Sequence, residues 1–260
     1  MIEGEIDTSE PRRIRRNWMA AVAGGVVRTI LPPSCLACGR PISSEGALCA
    51  DCWGGLRLIE RPFCDRLAIP FAYDLGAGAL SAEAIADPPP FERLRAVALY
   101  DGVARQLVHG LKYRDHLELV RWMAAWMARS GGEVISDADV IVPVPLHWQR
   151  LWWRRFNQSA ALADAIARHS GKPAILDIVR RVRPTRNQVG LGEKARAENV
   201  RGAFRVESDR RSEIAGRRVL VVDDVYTTGA TIKAVTRVLR RAGAVAVDAL
   251  VFARVARGTD

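Results

Sequence analysis

The segment Arg218–Thr231 constrains the fold of this chain more strongly than any other. It reads RVLVVDDVYTTGAT: an apolar run ends in two adjacent carboxylates, Asp223 and Asp224, and a turn rich in threonine and glycine follows. The apolar run predicts a buried strand, and Gly229–Ala242, closed by Gly243, predicts a helix. A strand that passes through such a turn into a helix is typical of α/β folds, whose ligands bind at the carboxyl ends of the strands.

The composition of this turn indicates an anion site. Main-chain N–H groups at a helix N-terminus, together with three threonine hydroxyls, form a cradle for a phosphate, and Gly229 lets the backbone approach it closely. Two carboxylates beside a phosphate would repel it unless they accept hydrogen bonds from sugar hydroxyls and lie near a divalent cation such as Mg²⁺. The predicted sugar-binding or catalytic residues are Asp223 and Asp224, and the predicted phosphate-binding residues are Tyr226, Thr227, Thr228, Gly229, Ala230 and Thr231.

Strand and helix signals alternate along the rest of the C-terminal part. The predicted strands are Leu94–Tyr100, Val140–Val144, Arg218–Asp223 and Val245–Phe252; the predicted helices are Gly102–Tyr113, His116–Ala128, the segment from its N-cap Asn157 to His169, and Gly229–Ala242. This alternation predicts a mostly parallel sheet flanked by helices on both faces. No internal repeat and no low-complexity tract is recognisable.

A cysteine-rich segment precedes the α/β part. Cys35, Cys38, Cys49 and Cys52 form two C-x2-C pairs, and two such turns supply four thiolates to one tetrahedral ion. We predict a structural Zn²⁺ site; a redox dithiol or an iron–sulfur cluster are the alternatives. A closed four-thiolate shell leaves no open coordination position, so the predicted role is structural. Cys64 has no partner at ligand spacing and is predicted to be a free thiol; a vestigial metal ligand is the alternative.

These signals divide the chain into four parts. Residues 1–30 form a charged tail and an amphipathic helix, 31–66 a zinc ribbon, 67–92 a connector rich in Gly, Ala and Pro, and 93–257 the α/β domain. The basic start followed by the apolar run Asn17–Val27 imitates a signal peptide, but Arg28 and Pro32 follow it and no A-x-A-like cleavage site does. No stretch has the roughly 20 apolar residues of a transmembrane helix. Together with the metal-ligand cysteines, this predicts a cytoplasmic protein.

The composition excludes several classes of protein. With 260 residues, 49% of them hydrophobic and 26% charged, the chain is neither disordered nor collagen-like, and five cysteines are too few for a disulfide scaffold. The formal net charge is +10, and only four of the 39 basic residues are lysines. Arginine suits bidentate phosphate contacts, although genome base composition can produce the same bias. The charge favours polyanionic partners without choosing among a nucleotide, a sugar phosphate and DNA.

The turn after Asp224 resembles the signature of type I phosphoribosyltransferases: four apolar residues, two acids, two intervening residues and Thr-Thr-Gly-x-Thr. The resemblance implies that Asp223 and Asp224 hold the ribose hydroxyls of phosphoribosyl pyrophosphate and that the Thr/Gly loop holds its 5′-phosphate, with Mg²⁺ bound alongside the ligand. It also implies that a segment after the second strand binds pyrophosphate, namely Val142, Pro143, Val144 and Pro145.

The order of motifs resembles more specifically the ComF family, which joins a double zinc ribbon to a phosphoribosyltransferase-like domain and is associated with competence and DNA uptake. The four cysteines, LKYR with Lys112, RRFNQ with Arg154, and RAENVRGAF carry the likeness. Two departures stand out. Many relatives have a further C-x2-C, of which only Cys64 is present here, and Arg155 replaces the glycine of the family's RGFNQ.

A basic belt spans Arg180–Arg218, with twelve basic and five acidic residues and a net charge of +7. A loop that closes over the active site lies in this place in type I enzymes, so we expect Gln188, Lys194 and Arg196 to approach the pyrophosphate. The alternative is a nucleic-acid surface, to which the aromatic residues of His147–Phe156 would add base stacking.

Three functions are compatible with these features. The first is transfer of a phosphoribosyl group to an unidentified acceptor, and the second is binding of phosphoribosyl pyrophosphate or a nucleotide-like ligand without turnover. The third is an accessory role in DNA uptake, with single-stranded DNA or a protein of the competence machinery as partner. A transferase of this kind needs positioning and charge stabilisation rather than a covalent nucleophile.

Overall fold

A computed structural model describes residues 32–113, 117–146, 157–183 and 193–256. Within these ranges the elements follow the order α1 Ala50–Gly54, α2 Ala82–Ala86, β1 Leu94–Leu99, α3 Gly102–Tyr113, α4 Leu117–Ser130, α5 Gly132–Asp137, β2 Val140–Pro143, α6 Gln158–Ser170, β3 Arg180–Arg181, α7 Glu193–Val200, β4 Phe204–Arg205, a 3-10 helix Ser208–Glu213, β5 Arg218–Tyr226, α8 Ala230–Arg241 and β6 Ala246–Arg254. The predicted alternation of strands and helices in the C-terminal part is confirmed.

Four strands of the described chain form one parallel sheet in the order β1-β6-β5-β2. Side chains along a strand point alternately to its two faces, so the apolar run of β5 is buried on both. Val219 and Val221 join the core on one face, and Leu220 and Val222 join the core on the other. The predicted parallel sheet with helices on both faces is confirmed.

The helices divide between these two faces. The apolar stripe of α8 packs on one face through Ile232, Val235 and Leu239. The buried sides of α3, α4, α5 and α6 pack on the other. The short antiparallel pair β3–β4, which lies within the basic belt, packs on the α8 side through Phe204 and through Val179, the residue before β3.

Local capping explains where α6 begins and ends. The side-chain oxygen of Asn157 accepts a hydrogen bond of 3.1 Å from the N–H of Ser159, as expected of an N-cap. Gly171 ends the helix with φ of +70°, a left-handed conformation that favours glycine. This N-cap, predicted from the sequence, places the first turn of α6 beside the end of β2, because Asn157 Nδ2 also donates to the carbonyl of Val144 at 3.2 Å.

The structure corrects the prediction that residues 67–92 are a connector without structure of their own. They contain α2, and Leu67, Ala68, Ala84 and Phe91 are buried in the core on the α8 face of the sheet. The error arose because Gly, Ala and Pro are typical of linkers, whereas here small side chains fill a tight apolar interface.

Some predictions fall on residues outside the described ranges: the amphipathic helix before residue 31, and the aromatic residues of His147–Phe156. Among the described residues, no helix combines the length and apolar character needed to cross a membrane.

Candidate ribose phosphate site and zinc cluster

The two predicted acids lie near the carboxyl end of β5, where the sheet opens. Asp223 Oδ1 accepts hydrogen bonds from the Ser159 hydroxyl at 2.8 Å and from the N–H of Asp224 at 2.9 Å. Both carboxylates are partly exposed. Asp223 Oδ2 and Asp224 Oδ1 accept no hydrogen bond from any residue that the structure describes.

A lysine on the face of the sheet opposite α8 contacts this acid pair. Lys112 lies in the last turn of α3, and its Nζ is 2.9 Å from Asp224 Oδ2, with side-chain exposures of 22% for Lys112 and 14% for Asp224. The sequence placed Lys112 among the candidate basic residues of the site, and the structure brings it into direct contact with the predicted ribose-binding pair.

The electrostatics of the pair follow from this arrangement. Burial raises the pKa of the Asp223 carboxyl to about 7, and the charge of Asp224 adds to the rise, while the Ser159 hydroxyl opposes it. Burial alone would lower the pKa of the Lys112 ammonium, but the carboxylate of Asp224 outweighs burial and raises it. Near neutral pH the cluster therefore holds one carboxylate paired with Lys112 and a second carboxyl close to its titration point.

The turn after the acid pair has the geometry of an anion cradle. Gly229 precedes α8 with φ of +73° and offers no side chain to the amides of the first helical turn. A Cβ built on Gly229 would lie 2.3 Å from the hydroxyl oxygen of Tyr226, so only glycine fits there. Thr227, Thr228 and Thr231 are half-buried around this turn. The helix N-terminus, with its partial positive charge, faces the same edge of the sheet as the acid pair.

Tyr226 occupies a different position from the other predicted phosphate-binding residues. Its ring is buried under Gly229, in an edge contact with Phe91 at 6.2 Å between ring centroids, and the guanidinium of Arg254 lies over it. The side chain therefore supports the loop from below, and a contact of Tyr226 with phosphate would involve its main chain.

The predicted pyrophosphate segment lies directly beside the acid pair. Val142 and Pro143 form the end of β2 and pair with β5, and the N–H of Val144 bonds to the carbonyl of Val222 at 2.9 Å. Pro145 is also buried. Their role in binding pyrophosphate stays a prediction, as do the roles of Gln188 and Arg154, which lie outside the described residues. Lys194 and Arg196 lie on α7, where the structure describes only their main chain.

A groove of about 740 Å³ runs from the anion turn along the outer side of α8. Four cationic side chains line it, together with two acidic ones: Arg201, Lys233, Arg237, Arg241, Asp87 and Glu198. The ammonium of Lys233 is 2.6 Å from Asp87 Oδ2. The groove begins at Thr228 and Ala230 but does not include Asp223 or Asp224, so it is a neighbouring surface rather than the acid pair's own pocket.

Sequence reasoning missed two sets of residues. Ser159 contacts Asp223 directly. Its position in the first turn of a helix with a predicted N-cap, Asn157, was the available sequence signal. Arg237 and Arg241 lie outside the predicted basic belt; their spacing of four residues on a predicted helix was the available signal.

The four predicted zinc ligands converge. The sulfur atoms of Cys35, Cys38, Cys49 and Cys52 all lie within 4.8 Å of one another, and those of Cys38 and Cys49 are 3.8 Å apart. Tetrahedral Zn²⁺ with bonds of about 2.3 Å separates its sulfur ligands by about 3.8 Å. The donor set therefore fits a structural Zn²⁺ ion.

The protonation of the cysteines also favours a cation. Burial alone would raise the pKa of the Cys35 thiol, but hydrogen bonds from the main chain of Cys38 and Cys49 outweigh it and lower the pKa to about 6. Burial and the neighbouring sulfur atoms raise the pKa of Cys52 well above its ordinary value. A divalent cation at the centre of the four sulfur atoms would stabilise all of them as thiolates.

The donor set at the end of β5 is compatible with Mg²⁺. This ion binds through one or two carboxylates together with phosphate oxygens and water, rather than in a cage of protein atoms alone. Asp223 and Asp224 could supply the carboxylate oxygens, and a bound phosphorylated ligand would supply the rest.

Two family models match the chain in the same order as the structural parts. The double zinc ribbon domain matches residues 26–84, and the phosphoribosyl transferase domain matches residues 157–260. The first match extends over the residues that the sequence suggested to be a connector, in agreement with their packed structure.

Relatives match this chain over most of their length. The chain is 31% identical to the DNA utilization protein YhgH of Escherichia coli over 228 residues, which cover 84% of this chain and 95% of the relative. It is 27% identical to competence protein F of Haemophilus influenzae, covering 80% and 91%. A solved structure of the allosteric regulatory enzyme of purine biosynthesis matches 55% of this chain and 30% of that chain, at 21% identity and a TM-score of 0.39. The chain therefore belongs to the ComF/YhgH family, in which a double zinc ribbon precedes a phosphoribosyltransferase domain.

Proposed function

We propose that the chain binds phosphoribosyl pyrophosphate, or a related ribose 5-phosphate ligand, together with Mg²⁺ at the end of β5. The observation that carries the proposal is the juxtaposition of two carboxylates, each with one oxygen that accepts no hydrogen bond from a described residue, and a helix N-terminus at Gly229, five residues after Asp224. Vicinal hydroxyls donate to carboxylates, and a phosphate accepts from helix amides, so a ribose 5-phosphate matches both ends.

Each residue would contribute in a different way. Asp223 and Asp224 would accept hydrogen bonds from the ribose hydroxyls, and the amides from Thr228 to Thr231 would hold the 5′-phosphate. Mg²⁺ would neutralise the pyrophosphate charge. Lys112 orients Asp224 before the ligand arrives, because its ammonium already contacts one carboxylate oxygen.

Calorimetric titration with phosphoribosyl pyrophosphate and Mg²⁺ tests the proposal. Asp224→Asn keeps the shape of the side chain but removes its charge, and we expect affinity to fall about 10- to 100-fold, the range for hydrogen bonds to a charged group. The matched control is Asp209→Asn, which changes an exposed carboxylate of the 3-10 helix and should leave affinity unchanged. Equal affinity for wild type and Asp224→Asn would contradict the assignment.

Transfer of the phosphoribosyl group is the stronger form of this proposal. In that reaction the bond from the anomeric carbon to pyrophosphate breaks, and an acceptor nitrogen or oxygen forms the new bond. Pyrophosphate release in the presence of candidate nucleobases would show turnover. Binding without release under any acceptor would assign the site to sensing or regulation.

A second candidate function is binding of single-stranded DNA, and the groove along α8 favours it. Arg201, Arg237 and Arg241 line one side of a groove that opens next to the anion turn. The names of the relatives, DNA utilization protein and competence protein, agree with such a role. Three phosphate contacts predict a slope of about −2 for the logarithm of affinity against the logarithm of salt concentration.

Charge-reversal variants distinguish binding of single-stranded DNA from binding of phosphoribosyl pyrophosphate. Arg237→Glu with Arg241→Glu should weaken binding of single-stranded DNA at least tenfold and leave titration with phosphoribosyl pyrophosphate unchanged. Arg121→Glu is the control, because Arg121 is exposed on α4, which packs on the opposite face of the sheet. Salt-independent binding, or equal loss in the control, would rule out the groove as the DNA site.

A further inference from the structure

The chain contains a structural repeat that its sequence hides. The knuckle around Cys35 and the segment around Cys64 have the same main-chain hydrogen bonds, displaced by 29 residues. The corresponding pairs are Cys35 N to Arg40 O with Cys64 N to Ile69 O, Gly39 N to Cys35 O with Ala68 N to Cys64 O, and Ile42 N to Pro33 O with Phe71 N to Pro62 O; their lengths lie between 2.7 and 2.9 Å.

The second half of each ribbon repeats as well. Cys49 precedes the five-residue helix α1, and its N–H is 3.3 Å from the sulfur of Cys35. Ser81 precedes the five-residue helix α2, and its N–H is 3.2 Å from the sulfur of Cys64. The two ribbons therefore correspond, with an offset of 29 residues in the first half and 32 in the second, which corrects the expectation of no internal repeat.

This correspondence shows what replaced the metal ligands. Cys35, Cys38, Cys49 and Cys52 of the first ribbon align with Cys64, Leu67, Ser81 and Ala84 of the second. One sulfur remains of four, and Leu67 and Ala84 are buried at 2% and 1% exposure. A Zn²⁺ site needs four nitrogen, sulfur or carboxylate ligands, and an isobutyl and a methyl group provide none. The second ribbon does not fit the ion that a double zinc ribbon implies.

The backbone keeps the knuckle turn nevertheless. Gly39, which follows the second cysteine of the first knuckle, has φ of +75°, and its counterpart Ala68 has φ of +51°. Ala68 is the only non-glycine residue with positive φ among those the structure describes. Alanine in this conformation costs on the order of 1 kcal/mol, so tertiary contacts must hold the turn.

Contacts with the sheet supply that support. A guanidinium N–H of Arg254, at the end of β6, donates to the carbonyl of Leu67 inside the core. Arg95 of β1 donates to the carbonyl of Asp65 and to its carboxylate, both at 2.6 Å, and is 2% exposed. The first ribbon packs on the other face of the sheet through partly buried side chains, those of Leu36, Ala37 and Leu48. It also contacts α4 through the exposed Trp53, whose ring centroid is 4.9 Å from that of Trp126.

We infer that this chain holds one Zn²⁺ ion, in the first ribbon, and that the second ribbon is a metal-free copy. Apolar packing of Cys64, Leu67 and Ala84 takes the place of the ion, and Arg254 and Arg95 fasten this copy to the phosphoribosyltransferase sheet. The second ribbon is thereby part of the sheet's core, and the first is the part of the domain whose folding depends on metal.

Metal analysis of the purified chain tests the inference. We expect one zinc per chain for wild type, one for Cys64→Ala and none for Cys38→Ser. Titration of metal-free protein with Co²⁺, followed by its thiolate charge-transfer absorbance, should reach its end point at one ion per chain in wild type and in Cys64→Ala. Two ions in wild type, or loss of zinc on Cys64→Ala, would overturn the inference.

Restoring the lost ligands provides an independent test. The combined variant L67C, A68G, S81C and A84C recreates the ligand pattern of the first ribbon and should bind two Zn²⁺ or two Co²⁺ ions per chain. A matched control carries L67M and A84V in place of L67C and A84C; it lacks two of the four thiolates and should bind one ion per chain. A fully substituted variant that still binds one ion would contradict the residue-by-residue correspondence.

Discussion

The first ribbon and the end of β5 each bring groups of like charge close together, but they differ in the source of the opposite charge. In the ribbon, four sulfur atoms lie within 4.8 Å of one another around a position suited to an ion from solution. At the end of β5 the protein itself supplies the ammonium of Lys112, 2.9 Å from Asp224, and the hydroxyl of Ser159, 2.8 Å from Asp223. The comparison indicates that the cysteine cluster depends on a metal ion for its counter-charge, whereas the protein's own side chains already hold the acid pair.

Removal of zinc should produce the largest effect. Structural Zn²⁺ contributes on the order of 10 kcal/mol to the folding of small zinc domains, so chelation should unfold the first ribbon. Hydrogen exchange after chelation should show loss of protection at Cys35 and Gly39, and retained protection at Cys64 and Ala68, whose amides make the equivalent bonds. Simultaneous loss at both knuckles would contradict the difference in metal dependence.

Gly229→Ala should be the most damaging single change in the ribose phosphate site. The new Cβ would lie 2.3 Å from the Tyr226 hydroxyl oxygen, and the turn would require alanine to adopt φ of +73°. We expect a loss of about 3 kcal/mol in the free energy of unfolding, measured by denaturant titration, and loss of ligand binding.

Gly216→Ala is its control. Gly216 has φ of +74°, and a Cβ there meets nothing within 4 Å, so this variant isolates the backbone strain of about 1 kcal/mol. Equal destabilisation by the two substitutions would show that contact with Tyr226 does not constrain the anion turn.

The raised pKa of Asp223 predicts a dependence of stability on pH. The folded value, about 7, exceeds the unfolded value, so the folded state binds the proton more tightly. This contribution is fully present below about pH 4 and is lost as the pH rises through 7, which gives a fall of about 2 kcal/mol between pH 5.5 and 7.5 in the ligand-free protein. Denaturant titration of wild type and Asp223→Asn checks this; the variant should lose the slope, and parallel pH profiles would refute it.

Lys112→Met should have the smallest of these effects on folding. It leaves Asp224 without its counter-charge at a site with 22% and 14% exposed side chains, and we expect a loss of about 1–2 kcal/mol in the free energy of unfolding. It should also raise the pKa of Asp223 further, because the Lys112 charge lowers that pKa. Carbon-13 titration of the carboxyl by NMR measures this shift.

The exposed pair Arg168–Asp164 provides the comparison for that variant. Its side chains are 70% and 41% exposed, and Arg168→Met should cost no more than a few tenths of a kcal/mol. Equally small losses in the free energy of unfolding for Lys112→Met and Arg168→Met would show that the acid pair does not depend on the Lys112 charge.

The sequence predicted the elements that have a local signal. The strand at β5, the N-cap Asn157, the cysteine ligands and the acid pair each depend on residues close in the chain, and the structure contains each of them. Contacts between distant residues were not predictable in the same way. Ser159 reaches Asp223 only because α6 begins beside β2, next to β5 in the sheet.

The second ribbon shows why local patterns can fail. Its knuckle turn is carried by Ala68 where a pattern search expects glycine, and three of its four ligand positions hold Leu67, Ser81 and Ala84. The hydrogen bonds that support this turn come from Arg254 and Arg95, which are distant from it in the sequence. The arrangement of main-chain hydrogen bonds shows which residues of the two ribbons correspond.

A crystal structure with phosphoribosyl pyrophosphate and Mg²⁺ would test the central claim most directly. We predict ribose hydroxyls within about 3 Å of Asp223 Oδ2 and Asp224 Oδ1, and the 5′-phosphate bound to the amides at the start of α8. A ligand bound instead in the groove along Arg237 and Arg241, with the acid pair untouched, would contradict it.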